Sequence, residues 1–336
     1  MRDNPHRLLI SAEAWRGHGP RIAAAAPVDP LLFDGGGPPT GCADATIAYL
    51  SRDLFAGGTR DRLSARFMGF VECLRAAPAL QWLHIFSAGA DLWVYREFER
   101  RGVRITTSAG ATAPVVAQSA IAGLLALARQ FPRCAEAQRR HSWEPLYGPG
   151  EPQSLDGQEA VIIGTGPIGQ RIARLCRALG LGTIGVRRTA EGPPPPDFDM
   201  AVGYGSLHEV LPRANWLILA CPLSDITRGL IDERAFTRLP PGAHLINVAR
   251  GPVVVEDAML AALRSGALRG AMLDVFAQEP LPPASPFWDL PNVIVTPHSA
   301  AASNGHAAAT AAVFAANLSR WQRGEALLNE VTPVPA

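Results

Sequence analysis

The 336-residue chain contains no lysine, since all 31 residues counted as lysine or arginine are arginine. This absence excludes a Schiff-base lysine, a lysine general base and the lysine of a phosphate-binding P-loop. Charge is also scarce, because charged residues make up 18% of the chain and the net charge is +1. Such a chain has no overall field that attracts nucleic acid or an anionic membrane. We therefore expect neither partner.

Cysteines and long apolar runs are equally sparse. The five cysteines are widely spaced and form no C-x-x-C pair, so we expect no metal site and no disulfide framework. The most apolar stretch, residues 115–128, is too short to span a bilayer and predicts a buried helix. Residues 1–11 lack the apolar core of a signal peptide. These features lead us to expect a cytoplasmic protein.

Apolar segments of strand length alternate with helical patterns along the chain, which predicts parallel sheets flanked by helices. The pattern breaks at residues 110–114, where we place a hinge between two units, and a long helix continues from there through Ala128. A second long helix is predicted at residues 306–325. The predicted strands cover residues 7–11, 45–50, 80–86 and 103–108 in the first unit, and 216–220, 243–249, 270–276 and 292–296 in the second.

The clearest local motif is G-x-G-x-x-G at Gly164, Gly166 and Gly169, between an apolar strand and an amphipathic helix. In a dinucleotide-binding unit the first glycine permits the tight turn, the second admits the pyrophosphate and the third allows close helix packing. The helix N-terminus then presents free N–H groups to the phosphates. An ordinary strand-to-helix turn is the alternative interpretation. Pro167 and Ile168 complete the predicted cofactor-binding turn.

A further cofactor signal lies at the end of the next strand. Dinucleotide-binding units often carry an acid there that binds the ribose 2′-hydroxyl, whereas this chain has Arg187, Arg188 and Thr189. A carboxylate would repel a 2′-phosphate, but a guanidinium can bind it with two hydrogen bonds. The sequence thus favours NADPH over NADH, with solvated surface charge as the alternative. The same reasoning predicts that Arg187→Asp weakens NADPH binding far more than NADH binding.

Three further candidate site residues lie at or just beyond the ends of later strands: Arg250, Asp274 and His298. Ligands of open parallel sheets bind outside these carboxyl ends, so we expect the three to share one edge. Each has a plain structural alternative as a turn or loop residue. Of the remaining histidines, His84 is predicted to be buried in a strand, and the others are predicted at the surface or in turns: His6, His18, His141, His208, His244 and His306.

Four segments, GTGPIG, NVARGPVVVEDAML, LDVFAQEPL and TPHSAA, occur in an order and at spacings that resemble the D-isomer-specific 2-hydroxyacid dehydrogenase family. The resemblance implies that Arg250 binds the substrate carboxylate and carbonyl, that His298 is the general acid/base and that Glu279 orients His298. It also implies that the backbone amides of Ala88, Gly89 and Ala90 hold the substrate carboxylate. The cofactor-lining residues that it implies are Cys221, Pro222, Thr227, Val248, Ala249 and Asp274, the last near the nicotinamide.

The resemblance also implies the fold class: α/β, with a Rossmann dinucleotide-binding domain (113–298) inserted into a discontinuous flavodoxin-like substrate domain (1–112 and 299–336). The expected activity interconverts small 2-keto acids, such as glyoxylate or hydroxypyruvate, with D-2-hydroxy acids by hydride transfer. NADPH is the preferred cofactor, with NAD possible. A homodimer is expected, with the helix at 115–128 as one candidate interface. Two alternatives stay open, namely a non-catalytic NAD(P)-sensing protein and a phosphite-type dehydrogenase.

Overall fold

A computed structural model describes residues 5–59, 62–148, 150–189 and 191–331. The chain divides into two compact units, Met1–Thr112 with Ser303–Ala336, and Ala113–Ala302. The predicted division after residue 298 falls earlier than this second boundary. The reason is that Ala300 donates its amide to Asp274 and accepts a hydrogen bond from Ser119, both in the second unit.

The first unit contains, among its described residues, a five-stranded parallel sheet in the order β2-β1-β3-β4-β5. This is the flavodoxin-like order, in which the chain reverses direction beside β1. Its strands are β1 (His6–Ser11), β2 (Val28–Phe33), β3 (Ile47–Leu50), β4 (Trp82–Ile85) and β5 (Arg104–Thr107).

The second unit contains, within its described ranges, a seven-stranded parallel sheet in the order β12-β11-β10-β9-β6-β7-β8. The chain reverses direction between β6 and β9, which is the switch point of a doubly wound Rossmann sheet. Its strands are β6 (Glu159–Ile163), β7 (Gly182–Arg187), β8 (Met200–Gly203), β9 (Trp216–Leu219), β10 (Ala243–Asn247), β11 (Leu268–Leu273) and β12 (Val293–Val295).

Helices cover both faces of each sheet, as parallel sheets require. The α-helices are α1 (Ala12–Ala25), α2 (Ala65–Arg75), α3 (Tyr95–Arg100), α4 (Ala113–Ala128), α5 (Phe131–Arg139), α6 (Pro167–Ala178), α7 (Leu207–Val210), α8 (Glu233–Phe236), α9 (Glu256–Ser265) and α10 (His306–Gln322). Short 3₁₀ turns lie at Cys42–Asp44, Arg52–Phe55, Tyr204–Ser206, Leu211–Arg213, Gly251–Val253 and Pro286–Asp289.

The predicted strands are confirmed to within a few residues, but β2 and β8 were not predicted. Both are edge strands, and they escape detection for different reasons. β2 carries Asp29 and Pro30, which weaken a strand pattern, and the four residues of β8 are all half-buried. β8 reads MAVG and is apolar but only four residues long, so neither strand shows the longer apolar run on which the other predictions depend.

Each unit has its own apolar core on the two faces of its sheet. The predicted buried helix is α4, whose apolar residues pack within the second unit. Among the described helices, none alone has the length and apolarity to cross a membrane. The pair α4 and α5, bent by 67°, passes that test of length and composition when taken together.

Two of the histidine predictions are wrong. His244 and His306 are buried, at 9% and 5% exposure, rather than at the surface. His244 lies in β10 and stacks on Trp216, with ring centroids 4.3 Å apart, so its ring is part of the sheet's packing. Burial lowers the pKa of each of these histidines to about 4. The prediction that His84 is buried in a strand is confirmed.

Candidate cofactor and catalytic site

The glycine-rich turn joins β6 to α6 at the switch point. Gly164 has a φ of +101°, and a Cβ there would lie 2.7 Å from the backbone of Ala220 and Cys221, which follow β9. A Cβ on Gly169 would lie 1.9 Å from the Gly164 carbonyl oxygen. Both positions therefore require glycine, because any side chain would push the two strands or the helix apart.

Gly166 differs from the other two glycines of the motif. It precedes α6 as its N-cap and provides no side-chain cap, and a Cβ at this position would meet no heavy atom within 4 Å. Gly166 and Pro167 are exposed and Ile168 is half-buried. The first turn of α6 thus offers its amide groups at an open surface, which suits an anionic phosphate. The turn fits a dinucleotide by this criterion.

Arg187 is the last residue of β7, and Arg188 and Thr189 follow it at the exposed carboxyl edge. The Nη2 group of Arg187 donates to the carbonyl oxygens of Glu191 at 2.6 Å and Gly192 at 3.0 Å. The Arg187 guanidinium, which the sequence predicts to lie beside the ribose, holds the loop that follows it in the structure. Arg188 is exposed, and its charge acts on the nearby Tyr204 phenol.

The loop after β9 holds the predicted cofactor-lining residues Cys221, Pro222 and Thr227. The Thr227 hydroxyl donates to the Pro222 carbonyl at 2.8 Å and accepts from the Ser224 amide at 2.8 Å. It thereby closes this loop on itself. Cys221 is buried, and burial raises the pKa of its thiol to about 11. The thiol is therefore uncharged near neutral pH and unsuited to act as a nucleophile.

The Arg250 loop follows β10 and depends on a residue that the sequence reasoning did not single out. Asn247 is 1% exposed, accepts the Ala249 amide at 3.0 Å and donates to the Arg250 carbonyl at 3.3 Å. This buried asparagine bridges the turn and sets the direction in which Arg250 leaves the sheet. Val248 and Ala249 are buried, so they act through their backbone. Asn247 is the first residue of the N-x-x-R-G motif, and this motif could have identified it from the sequence.

Gly251 brings the Arg250 loop against the loop that carries Glu279. A Cβ on Gly251 would lie 1.9 Å from the carbonyl carbon of Phe276, so only glycine permits this approach. The Phe276 amide donates to Glu279 Oε1 at 3.1 Å. The arginine and the carboxylate therefore lie on adjacent loops of one unit, as their positions after neighbouring strands predict.

His298 and Glu279, which the resemblance implies to be the proton donor and its partner, are in hydrogen-bond contact. His298 Nδ1 lies 2.7 Å from Glu279 Oε2. A carboxylate only accepts hydrogen bonds, so Nδ1 carries the proton of this bond and Nε2 is the other functional nitrogen. The His298 side chain is 36% exposed and the Glu279 side chain is 15% exposed. The imidazole is therefore accessible to solvent, and the carboxylate is more buried.

The backbone of His298 is held in an unusual conformation. Its φ is +50°, a value that costs energy in a non-glycine residue and often marks a functional site. The Asp274 carbonyl accepts the His298 amide at 2.8 Å. The buried Asp274 carboxylate accepts from the Thr296 hydroxyl at 2.6 Å and from the amides of Ser299 at 2.7 Å and Ala300 at 3.0 Å. Asp274 thus holds the residues on both sides of His298.

The remaining predicted residues, Ala88, Gly89 and Ala90, lie in the first unit, in the loop after β4. The Ser87 hydroxyl donates to the Gly89 carbonyl at 2.7 Å and fixes the loop. Within the described ranges, the backbone N–H groups of these three residues donate to no protein acceptor. Consecutive unpaired amides at the carboxyl end of a strand form a suitable anion site.

A doubly wound sheet with an open glycine-rich turn, an arginine and a histidine–carboxylate pair at one edge defines a class, the dinucleotide-dependent dehydrogenases. Residues 121–300 match the model of the D-isomer-specific 2-hydroxyacid dehydrogenase NAD-binding domain. The chain is 33% identical over 261 residues to glyoxylate reductase of Korarchaeum cryptofilum, covering 76% of each protein. The chain belongs to the D-isomer-specific 2-hydroxyacid dehydrogenase family.

Solved structures extend the similarity to almost the whole chain. A D-isomer-specific 2-hydroxyacid dehydrogenase from Xanthobacter autotrophicus Py2, in complex with NADPH and MES, is 28% identical with a TM-score of 0.78, covering 98% of this chain and 99% of that one. The NADPH-dependent glyoxylate/hydroxypyruvate reductase from Sinorhizobium meliloti, in complex with NADP and sulfate, is 25% identical with a TM-score of 0.76, covering 97% and 98%. These similarities establish an NAD(P)-dependent 2-ketoacid reductase fold and activity class.

Proposed function

We propose that this chain is an NADPH-preferring reductase of small 2-keto acids, producing D-2-hydroxy acids. The observation that carries the proposal is the His298–Glu279 pair, 2.7 Å apart, in the same unit as the open glycine-rich turn. Relatives described as glyoxylate reductase or glyoxylate/hydroxypyruvate reductase support glyoxylate and hydroxypyruvate as substrates. The NADPH and NADP complexes among the similar structures support the cofactor.

In this proposal the second unit binds the dinucleotide and the first unit binds the substrate. The family model that matches residues 121–300 describes an NAD-binding domain. The pyrophosphate is bound at the start of α6 by the turn of Gly164, Gly166 and Gly169. The loops with Cys221, Pro222, Thr227, Val248 and Ala249 line the cofactor. A bound nicotinamide supplies the hydride that reduces the carbonyl carbon.

The substrate is held by its carboxylate and its carbonyl oxygen. The unpaired amides of Ala88, Gly89 and Ala90 bind the carboxylate, and the planar guanidinium of Arg250 donates to carboxylate and carbonyl together. Negative charge that develops on the carbonyl oxygen is stabilised by Arg250. This binding mode selects substrates with an oxygen at C2 next to a carboxylate.

His298 supplies the proton that the reduced oxygen requires. Its Nδ1–H is committed to Glu279, so Nε2 is the atom that gives the proton in reduction and takes it in oxidation. The Glu279 carboxylate stabilises the imidazolium and fixes the ring. The Phe276 amide in turn fixes the carboxylate, with a hydrogen bond of 3.1 Å to Oε1. The proton donor is thereby oriented before substrate binds.

One experiment tests the reaction and the cofactor together. Initial rates are measured with NADPH and with NADH against glyoxylate, hydroxypyruvate and longer 2-keto acids. In the oxidative direction, they are measured with NADP⁺ and with NAD⁺ against phosphite. We expect reduction of the small keto acids, faster with NADPH. Tight NADPH binding without turnover of any substrate would contradict the proposal and favour an NAD(P)-sensing protein. Turnover of phosphite alone would favour a phosphite-type dehydrogenase.

We also propose that the protein is a cytoplasmic homodimer. Three large aromatic side chains are exposed in one short segment: Phe131 at 59%, Trp143 at 94% and Tyr147 at 92%. Exposed aromatics of this size indicate an interaction surface. This segment is a better candidate interface than the helix at 115–128, whose apolar residues pack within their own unit. All five cysteines are free, which suits a reducing compartment.

Sedimentation equilibrium tests the dimer. We expect twice the 35.7 kDa chain mass for the wild type and a shift toward monomer for the double variant Trp143→Ser, Tyr147→Ser. The exposed Trp93 lies outside this segment, so Trp93→Ser is the matched control and keeps the dimer. A monomeric wild type would contradict the proposal.

A further inference from the structure

The first sheet has a cavity at its own switch point. In its flavodoxin-like order the chain reverses direction beside β1, and ligands of open α/β sheets bind at such a point, outside the carboxyl ends of the strands. A cavity of about 210 Å³ lies there, between the first half of α1, the end of β3 and the start of α10. The described residues that line it are Glu13, Ala14, Gly17, His18, Tyr49, Ser51, Arg52, Asp53 and Ala307.

This cavity differs from the site proposed for the 2-keto acid. All of its described lining residues belong to the first unit, and none of them comes from the loop after β4 that contains Ala88, Gly89 and Ala90. Its volume is below the usual range for drug-sized ligands and well above the space that one water molecule needs. The cavity therefore suits a molecule of a few non-hydrogen atoms.

Helix α1 leaves this space open at Gly17. A Cβ at Gly17 would meet no heavy atom within 4 Å, whereas a Cβ at Gly19 would lie 3.0 Å from the Trp15 ring. Packing therefore explains Gly19 but not Gly17. Glycine inside a helix is less stable than alanine, so helix formation does not explain Gly17 either. The missing side chain keeps the cavity open.

The charged groups on the wall of the cavity differ in their partners. Both carboxylates form ion pairs with Arg66, whose Nη1 lies 3.5 Å from Glu13 Oε2 and whose Nη2 lies 3.2 Å from Asp53 Oδ2. Arg52 is exposed and His18 is half-buried, and in the part of the chain that the structure describes neither side chain has a hydrogen-bond or ion-pair partner. The groups that are free to bind a ligand are therefore a guanidinium and an imidazole.

The start of α10 adds to this positive character. The helix has 17 residues, and its N-cap, Gly305, provides no side-chain cap. Within the described ranges the Ala307 amide, in the first turn, donates to no protein acceptor. Burial, and after it the charge of Arg52, lowers the pKa of His306 at this end of the helix, so Arg52 lies close to it. A helix N-terminus and a guanidinium both attract an anion.

We propose that this cavity binds a small carboxylate, with Arg52 and His18 donating to its oxygen atoms. The site is additional to the proposed reductase activity and does not depend on it. A guanidinium can bind both oxygens of a carboxylate. Ala14, Gly17 and Ala307 contribute small apolar surfaces that contact carbon, which favours an organic acid over an inorganic oxyanion.

NMR of the histidine rings tests the site directly. Sodium acetate is titrated into protein labelled with ¹³C at the histidine rings, and sodium chloride at equal ionic strength is the reference. We expect the His18 signal, assigned by its loss in His18→Gln, to shift and saturate, while the signal of the exposed His141 stays in place. The His298 signal reports acetate at the proposed catalytic site separately, so failure of one site does not conceal the other. An unmoved His18 signal would overturn the proposal whatever His298 shows.

Three variants identify the residues that bind acetate. Arg52→Gln is expected to raise the Kd of acetate about tenfold or more, the range for a charged hydrogen bond. Gly17→Leu places a side chain in the open space and is expected to abolish binding. Arg16→Gln is the matched control, because it removes an exposed charge of α1 that does not line the cavity, and it should keep the wild-type Kd.

Two results would contradict this assignment. One is an unchanged Kd of acetate in Arg52→Gln, which would show that the guanidinium does not bind the ligand. The other is a stronger response of His18 to sodium phosphate or to methylammonium than to acetate, which would show that the cavity selects an inorganic anion or a cation. Circular dichroism during heating verifies that each variant is folded.

Discussion

At the scale of single residues, His298 depends on two carboxylates with different tasks. Glu279 binds the ring through Nδ1 at 2.7 Å, and Asp274 binds the backbone on both sides of the residue. These bonds hold the His298 backbone at its φ of +50°. Orientation of the imidazole is therefore set by His298 in the loop after β12 and by Glu279 and Asp274 in the loop after β11.

The first prediction concerns the two groups proposed to contact substrate. His298→Ala and Arg250→Ala are each expected to lower kcat/KM by roughly 10²- to 10⁴-fold, the usual contribution of a positioned proton donor or charge-stabilising group. The affinity for NADPH should survive in both variants. Steady-state rates and cofactor titration give the two quantities.

The control for His298 is His141, which also has a positive φ, of +54°, and is exposed. His141→Ala should therefore keep wild-type turnover. Near-normal turnover in His298→Ala or in Arg250→Ala would refute the proposed catalytic assignment.

A second residue-scale prediction distinguishes two roles for Asp274, holding the His298 backbone and binding the cofactor. Asp274→Ala removes the acceptor for Thr296, Ser299 and Ala300, so we expect kcat to fall more than about tenfold because the His298 backbone relaxes. Asp274→Asn keeps one carbonyl oxygen as an acceptor and should restore part of the loss. If instead Asp274→Ala raised the Kd of NADPH and left kcat unchanged, its main role would be at the nicotinamide, as the family resemblance implied.

At the scale of elements, glycines decide how closely loops and helices approach at the carboxyl edge of the second sheet. Gly164, Gly169 and Gly251 each have protein backbone where a Cβ would lie, whereas Gly166 has open space. The first three allow the elements to come together, and the fourth leaves room for a ligand. Glycine thus permits close packing at three positions and leaves open space at the fourth.

This difference predicts a separation of stability from cofactor binding. Gly166→Ala should leave the thermal midpoint unchanged within a few degrees, because the new methyl group meets no protein atom. It should weaken NADPH and NADH equally, by about tenfold or more, because the methyl group occupies the approach of the pyrophosphate. Gly205→Ala, another glycine with open space around it, is the control and should change neither quantity. Unchanged cofactor affinity in Gly166→Ala would argue against a pyrophosphate at this turn.

At the scale of the whole molecule, each unit contains a buried histidine whose pKa is lowered by burial, His84 in the first unit and His244 in the second. In the first unit Trp82 Nε1 donates to Thr106 Oγ1 at 2.8 Å, and Thr106 lies 2.7 Å from His84 Nδ1. Ser108 donates its only hydroxyl proton to the Ile85 carbonyl, so it accepts from His84 Nε2 at 3.0 Å. His84 is therefore neutral with its proton on Nε2, and Thr106 donates to Nδ1.

Acid stability follows from this arrangement. Burial lowers the pKa of His84 from an ordinary 6.5 to about 3, so the unfolded chain binds more protons than the folded one between these values. The stabilisation that comes from neutral His84 is fully present above pH 6.5. It decreases as the pH drops and stops decreasing below about pH 3. At pH 5 the loss from this one residue is about 2 kcal/mol. His244 and His306, with pKa values lowered to about 4, act in the same direction.

Urea unfolding at pH 7.5 and pH 5 measures the effect. His84→Gln cannot titrate, so its free energy of unfolding should fall less between the two pH values than that of the wild type. The exposed His141→Gln should retain the wild-type difference. An equal difference in all three proteins would show that His84 is not the source.

Several features of this protein follow from its sequence alone. The alternation of apolar runs and helical patterns is local, and so are the G-x-G-x-x-G turn and the order of the motifs around Arg250, Glu279 and His298. These local patterns were sufficient to predict the α/β class, the family and most of the strands. The edge strands β2 and β8 were not predicted because β2 contains Asp29 and Pro30 and β8 is an apolar run of only four residues.

Only the tertiary structure could show which side chains are already hydrogen-bonded within the protein. The sequence places Arg187 and Arg188 together at a strand end, but the commitment of Arg187 to three carbonyls depends on the path of the following loop. The roles of Asn247, Gly251 and Asp274 likewise arise from loops after different strands that meet at one sheet edge. Hydrogen bonds and close approaches of this kind join residues far apart in the chain, so a local pattern does not contain them.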